Sequence, residues 1–366
     1  MGLPDIVIEF SKKAVTAIQS GALGIVGVIL KDEKNSGAMI LRGIDEIPTG
    51  DSAFSAENTA YLERAFMGAP TKVIVYTMAK AAEDYNEAFK YFASHKVNYL
   101  VGAPDITADE ANKMATWVKG IRQKSIRRPV IVVPDTAGDS RAVIDFDVVN
   151  YTDEDKPKAG ETEFTKAQLC SRIAGILAGL DLRISATYKP LAEITYIPSA
   201  EDDEVDAAID AGKLVLYSDG ERIVIGRGVN SLITTGEVET EDLKKIKISA
   251  IQDLIEEDIY STINSSYIGN YSNSYDNKCL LITAIRGYLR GLEATEGGKG
   301  YLRAGSSTVE INVAKQKLYL ESIDVDTSDM SEQEIKEANT GSHVFLKGTI
   351  SILDAIEDVD IFINKE

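Results

Sequence analysis

The sequence contains few histidines and cysteines, two of the residue types from which many enzyme sites and metal centres are built. It has two histidines, His95 and His343, and two cysteines, Cys170 and Cys279. Their positions follow none of the spacings typical of zinc sites, and no Gly-x-Ser-x-Gly motif is present to position a catalytic serine. Both cysteines fall in apolar stretches of predicted helices, so we expect free thiols rather than a disulfide bridge.

Long apolar runs are also missing. No stretch approaches the roughly 20 apolar residues that a membrane-spanning helix needs. The first residues lack the basic and then apolar layout of a signal peptide. We therefore expect a protein that folds in a cytoplasm and does not insert into a membrane.

Positive charge is scarce, because 39 Lys and Arg residues stand against 58 Asp and Glu residues, for a net charge of -19. Nonspecific binding to nucleic acid requires clustered cations that neutralise phosphates. The acidic balance therefore argues against direct binding to nucleic acid. Acidic runs such as Asp202-Asp203-Glu204 are interpreted as charges at a helix start rather than as a cation site.

The glycine-rich stretches do not match a nucleotide-binding loop. Residues 297–300 lack the spacing and the trailing Ser or Thr of a phosphate loop, and Gly226-Arg227-Gly228 follows a hairpin rather than opening a first βα unit. We expect no catalytic residues, no cofactor and no metal.

Apolar runs of strand length alternate with amphipathic helices through the first 200 residues. This alternation predicts βαβ units and a mainly parallel sheet covered on both faces, which is a three-layer α/β domain. Thr107 and Glu110 form the sequence signature of a capping box. The predicted strands are 23–30, 73–76, 97–101, 129–134 and 146–149, and the predicted helices are 55–66, 81–94, 107–121 and 164–180.

The pattern changes at Lys213. Asp219-Gly220 lies between two short apolar runs and predicts a β-hairpin. Two helices at 240–264 and 279–295 follow, and then strands at 309–313, 317–323 and 344–352. The predicted organisation is an N-terminal arm (1–20), an α/β domain (21–212), a smaller α+β C-terminal domain (213–353) and a C-terminal arm (354–366).

Both chain ends carry residues that alternate between apolar and polar, as extended strands do. No hairpin turn immediately precedes the C-terminal strand to supply a partner strand. The alternating residues are Asp5, Ile6, Val7, Ile8, Glu9 and Phe10 at one end, and Asp358, Val359, Asp360, Ile361, Phe362 and Ile363 at the other. Two interpretations stay open at this point: edge strands of one molecule, or strands donated to another molecule.

The order of these segments resembles contractile tail sheath proteins over essentially the whole chain. It is most similar to the short sheaths of Gram-positive myophages, defective prophages and phage-tail-like bacteriocins. The resemblance is carried by residues 97–104, by Ser171-Arg172-Ile173-Ala174-Gly175, by residues 226–232 that lead into two helices, and by residues 358–363. It rests on the order of the segments and on their residue patterns rather than on a catalytic signature.

The resemblance implies a subtilisin-like fold for the α/β domain and a mechanical function. Such subunits stack as hexameric rings around an inner tail tube, between a baseplate and a tail terminator, and contract to drive the tube through a cell envelope. They assemble in the bacterial host cytoplasm and become part of a virion or a phage-tail-like particle. No enzyme activity is implied.

The resemblance also assigns roles to residues. The two alternating termini match arms that add strands to a small sheet in the C-terminal domain of a neighbouring subunit, with hinges near residues 20–21 and 353–357. Basic residues of the C-terminal domain become candidates for contact with the tube: first Arg286 and Arg290, then Lys244, Lys245 and Lys247. The alternative functions are a non-contractile capsid or adaptor protein that polymerises through arms, and an α/β hydrolase.

Overall fold

The computed structural model describes residue 18 and residues 23–295 and 300–365. These residues form two compact units. The sheet unit contains residues 23–257 and 353–365, and the helical unit contains residues 258–295 and 300–352. The alternating segment of the predicted N-terminal arm, residues 5–10, lies outside the described residues.

The strands are short, and most are apolar. In chain order they are β1 (Ile25–Asp32), β2 (Gly37–Leu41), β3 (Lys72–Ala79), β4 (Tyr99–Val101), β5 (Val130–Pro134), β6 (Val143–Asp147), β7 (Lys158–Ala159), β8 (Thr162–Glu163), β9 (Lys213–Ser218), β10 (Ile223–Ile225), β11 (Thr308–Ile311) and β12 (Leu346–Thr349).

The α-helices of the described residues are α1 (Ala56–Phe66), α2 (Asn86–Ser94), α3 (Ala108–Lys124), α4 (Lys166–Gly179), α5 (Asp202–Asp210), α6 (Ile246–Thr262), α7 (Tyr275–Leu292), α8 (Val313–Ser322) and α9 (Glu332–Glu337). A π-helical turn, Ile263–Tyr267, follows α6. Three 3₁₀ turns lie at Ile44–Glu46, Gly50–Ser52 and Glu241–Lys244. None of the helices described is both long and apolar enough to cross a membrane.

Eight strands of the sheet unit form one sheet in the order β10-β9-β6-β5-β4-β1-β3-β2. The six inner strands run parallel, with Val26 of β1 aligned with Val73 of β3 and Tyr99 of β4. The two outermost strands, β2 and β10, pair antiparallel with their neighbours. The predicted parallel sheet is confirmed.

Helices cover both faces of this sheet. Successive side chains of a strand point to opposite faces, so an apolar strand presents apolar side chains to the helices on each side. Val28 packs with residues of α1 and α4 in one apolar cluster, and Ile29 packs with residues of α2 and α3 in a second. The α/β class and the three layers agree with the prediction. The capping box is also present, since Thr107 Oγ1 accepts from the Glu110 amide while Glu110 accepts from the Thr107 amide.

The hairpin at residue 213 belongs to the main sheet, whereas the sequence analysis assigns it to the C-terminal domain. Lys213 at the start of β9 aligns with Asp145 of β6 in parallel register, and β10 then closes that edge. These ladder hydrogen bonds place β9 and β10 in the sheet unit, which continues to residue 257.

The helical unit contains α7, α8, α9 and the two-stranded sheet of β11 and β12. Residues 317–323 are mainly helical, so their prediction as a strand is wrong. Asn312 caps α8 by accepting from the Lys315 amide at 3.0 Å, and Gln316 and Leu320, four residues apart, are buried on one face. Helix-forming residues and a cap outweigh a short apolar alternation here.

Helices α1 and α4 approach so closely that glycine is required between them. A β-carbon on Gly175 would lie 2.1 Å from the Ala65 carbonyl oxygen, and one on Gly179 would lie 1.7 Å from the Gly68 carbonyl oxygen. Both clashes are with backbone atoms, which cannot move aside as a side chain does. The small residues of α4 therefore set the spacing of this helix pair.

We predict that Gly175→Ala lowers the free energy of unfolding by about 1–3 kcal/mol, because the helices must separate to admit the methyl group. Gly120→Ala in α3 is the matched control, since nothing lies within 4 Å of its added β-carbon. That control is expected to stabilise the chain by roughly 0.5–1 kcal/mol. Urea denaturation followed by circular dichroism measures both, and equal effects of the two substitutions would contradict the packing account.

Candidate functional site: the C-terminal tail and its cradle

The C-terminal tail, residues 353–364, is divided at residue 358 into two parts with different contacts. We call residues 353–358 the tail root and residues 359–364 the free end. In the free end, Val359, Ile361, Phe362 and Ile363 expose 66%, 75%, 89% and 81% of their surfaces. Within the described residues the free end has no strand partner. A run of apolar side chains this exposed is typical of a segment that binds a partner.

The tail root, in contrast, is held by its own sheet unit through Glu357. The Glu357 side chain is only 5% exposed. Its Oε1 atom accepts hydrogen bonds from Ser185 Oγ at 2.8 Å and from Thr187 Oγ1 at 2.7 Å. Lys245 Nζ lies 3.4 Å from the other carboxylate oxygen. A buried carboxylate is stable only with such partners.

Two further ion pairs flank Glu357. Lys245 pairs with Asp354, three residues before Glu357. Arg227 Nη2 lies 2.5 Å from Asp358 Oδ1, although the Asp358 side chain is 78% exposed. We call Ser185, Thr187, Arg227 and Lys245 the tail cradle.

Backbone hydrogen bonds bring the parts of the cradle together. Thr187 Oγ1 accepts from the Gly228 amide at 3.0 Å while it donates to Glu357. The segment that contains Gly228 pairs with the segment around Lys245, because the Ile246 amide donates to the Gly228 carbonyl at 2.9 Å. Three chain segments far apart in the sequence therefore form one wall.

The buried Asn230 completes this wall. Its amide donates to the Lys244 carbonyl at 2.9 Å, and its side-chain Nδ2 donates to the Leu243 carbonyl at 2.7 Å. Both bonds fix the short turn that precedes α6. These bonds to the two residues before Lys245 therefore fix the backbone from which the Lys245 side chain extends.

The acidic side chains of the tail root shift the pKa values of the basic residues around them. Burial alone would lower the pKa of Lys245, but Asp354 and Glu357 outweigh it and raise that pKa. The hydrogen bond to Asp358 raises the pKa of Arg227. Burial lowers the pKa of nearby Lys247, and the charges of Asp354 and Glu357 offset this only in part. The cradle is a cationic surface matched to an acidic segment.

The carboxyl ends of the parallel strands, where α/β enzymes often carry their sites, hold a paired ion cluster. Asp147 accepts from Lys166 Nζ at 2.7 Å and from Lys213 Nζ at 2.6 Å. Burial would raise the pKa of Asp147, but the two lysines lower it overall. In the described part of the chain, no group of three or more His, Cys, Asp and Glu side chains is arranged to hold a metal ion. Cys170 and Cys279 are free, as predicted.

The basic residues singled out in the sequence fall in both units. Arg286 and Arg290 lie on α7 of the helical unit, where Arg286 donates to the Val309 carbonyl and Arg290 is exposed. The three lysines belong to the sheet unit: Lys244 pairs with Glu241 at 2.6 Å, Lys245 pairs with the tail root, and Lys247 is buried.

Comparison with known proteins agrees with this architecture. Residues 79–231 match the family model described as the phage tail sheath protein central domain. The chain is 36% identical over 368 residues to the tail sheath protein of Clostridium phage phiCD119, and the match covers 98% of each chain. The chain belongs to the phage tail sheath protein family. It is thus a structural protein of a phage tail or a related particle, and the resemblance inferred from the sequence is confirmed.

Solved structures share the fold of this sheath protein. The sheath tail protein of Desulfitobacterium hafniense superposes with a TM-score of 0.68 at 14% identity, covering 84% of this chain and 94% of that chain. A chain of the anti-feeding prophage baseplate in its contracted state has a TM-score of 0.62 at 12% identity, and 98% of each chain is covered.

Sequence reasoning found the free end of the tail but not the cradle. The resemblance implies a hinge near residues 353–357, whereas the structure ties this stretch to the sheet unit through Asp354 and Glu357. One signal in the sequence points to this contact, since the segment is acidic and Lys244, Lys245 and Lys247 form a basic cluster. Ser185 and Thr187 carry no such signal.

Proposed function

We propose that this sheath protein is a subunit of a contractile tail sheath, which polymerises by strand exchange around an inner tail tube and contracts to drive that tube through a cell envelope. The observation that carries the proposal is the free end of the tail. Its apolar side chains and backbone groups have no partner strand in their own chain among the described residues. A second copy supplies such a partner by strand addition.

The helical unit offers a suitable acceptor. Strands β11 and β12 form a sheet of only two strands, so each strand has one edge without a strand partner in the described residues. Sheet edges of this kind are templates for pairing with another chain. A sheet of two strands is also marginal alone and gains stability when strands are added. We propose residues 5–10 as a second donated arm.

Donation from one copy to a different surface of the next is a heterologous contact. Such contacts build rings when the rotation closes and open helical polymers when it does not. The proposed particle combines both as stacked hexameric rings, ending at a baseplate and a tail terminator. The fold shared with a chain of a contracted baseplate supports contraction. Main-chain hydrogen bonds between a donated arm and its acceptor can persist while the rest of each subunit moves as a body.

Contact with the inner tube is assigned to the helical unit, with Arg290 as the leading residue. Arg290 is exposed, whereas Arg286 also donates to the Val309 carbonyl and so supports the local fold. Lys244, Lys245 and Lys247 are weaker candidates, because the first two pair within their own chain and Lys247 is buried.

We predict that deleting residues 359–366 leaves a folded subunit that does not form cylinders. Ile361→Asp in the full chain is expected to raise the critical concentration for polymerisation at least tenfold, because burying an isoleucine contributes about 1.5–3 kcal/mol. Sedimentation and negative-stain microscopy measure both effects.

Asp360→Asn is the control for this experiment, since it changes the neighbouring side chain and keeps the apolar alternation. Its critical concentration is expected to stay close to that of the unchanged chain. Cylinders formed by the truncated chain at the normal concentration would rule out donation of the C-terminal strand.

We predict that Arg290→Glu weakens assembly on purified inner tubes and leaves self-polymerisation without tubes intact. Arg303→Glu is the matched control, because Arg303 is another exposed arginine of the helical unit. Cosedimentation with tubes at several salt concentrations measures the effect, since contacts between exposed charges weaken as salt rises. Equal loss of tube binding in the two variants would remove Arg290 from this role.

A further inference from the structure

We infer that Glu357 is the positioning residue that fixes where the C-terminal arm leaves its own sheet unit, so that only residues 359–364 are free to pair with a second copy. This inference rests on the proposed strand donation. It assigns residues 353–358 a role opposite to that of a hinge. The tail root becomes a fixed part of the body, and the arm begins after Asp358.

Among the three acidic contacts, Glu357 holds the root most firmly. Its carboxylate is almost fully buried and accepts two hydroxyl hydrogen bonds of 2.7 and 2.8 Å. Solvent therefore screens it little, and releasing it removes the shared acceptor of two half-buried hydroxyls. Asp358 is mostly exposed, so its pair with Arg227 is screened and contributes less. The pair between Asp354 and Lys245 lies between these two cases.

The cradle is rigid enough to serve as an anchor. Thr187 Oγ1 is fixed by the Gly228 amide, and Gly228 is tied through its carbonyl to the start of α6. There is little space for adjustment at Gly228, since an added β-carbon would lie 3.2 Å from that of Ala186. Glu357 thus contacts side chains whose positions are set by the sheet unit itself.

The position of the anchor sets the reach of the arm. Six free residues, 359–364, extend at most about 20 Å as a strand. Release of the root adds residues 353–358 and roughly doubles that reach. A short arm limits the positions a neighbour can occupy, and so keeps subunit spacing uniform. A displacement of the sheet unit is also transmitted directly to the donated strand, because no flexible linker separates the two.

Limited thermolysin digestion of the full-length monomer tests the anchor, because this protease cleaves before apolar residues in segments that can leave the body of the fold. Ile356 is 90% exposed, so the bond before it is protected only while the tail root stays held against the sheet unit. That bond reports the tail root, and the bonds before Ile361 and Ile363 report the free end within the same molecule. In the unchanged chain the free end is expected to be cut first. Glu357→Gln is expected to raise the rate of cleavage before Ile356 at least tenfold and to leave the rates in the free end unchanged.

Matched variants separate anchoring from other effects. Asp360→Asn makes the same change from acid to amide in the free end and is expected to alter neither rate. Thr187→Val removes one hydroxyl donor from Glu357 and is expected to act as Glu357→Gln does, whereas Thr187→Ser retains the donor and is expected to protect the root. A general loss of stability would instead raise cleavage at many sites, which intact mass spectrometry detects.

The inference would be overturned if the rate of cleavage before Ile356 were the same in the unchanged chain and in the Glu357→Gln and Thr187→Val variants. A change of rate confined to the free end would also overturn it. The monomer experiment does not depend on polymerisation, so its outcome is separate from that of the tail truncation. If Glu357→Gln releases the root and the chain that lacks residues 359–366 still forms cylinders, the anchor stands and strand donation fails.

Discussion

A strand cannot satisfy its own backbone hydrogen bonds, and this constraint governs how the sheath protein has to work. The free end of the tail presents alternating apolar side chains to solvent, and the two-stranded sheet of β11 and β12 presents edges without strand partners in the described residues. Each feature is unfavourable in an isolated subunit. In the strand donation that we propose, pairing between copies removes both costs at once, so that the subunit is complete only within an assembly.

The sheet unit supplies the stiffness that such an assembly needs. Its parallel sheet is covered by helices on both faces, and backbone contact at Gly175 and Gly179 fixes the spacing of α1 and α4. The same unit holds the buried carboxylate of Glu357 in the tail cradle. Side-chain contacts with the sheet unit thus reach along the tail to Asp358. Contacts of this kind distinguish an anchored segment from a frayed terminus.

The sequence predicts the features that depend on local pattern. Apolar runs such as 73–76 and the capping signals of Thr107 and Glu110 specify strands and helix starts through nearby residues alone. The free end is recognisable for the same reason. Residues 317–323 are an exception, because a brief apolar alternation competes there with helix propensity and with an Asn312 cap. The cradle is not predictable in this way, since its residues come from three distant segments joined by backbone hydrogen bonds.

The most direct test of this account is a cryo-EM reconstruction of cylinders formed by the unchanged chain, at a resolution that shows side chains. The account predicts that residues 359–364 form a strand against β11 or β12 of a different subunit. It also predicts that Glu357 remains in contact with Ser185 and Thr187 of its own chain. Cylinders in which the free end folds back on its own subunit, or makes no strand contact, would contradict it.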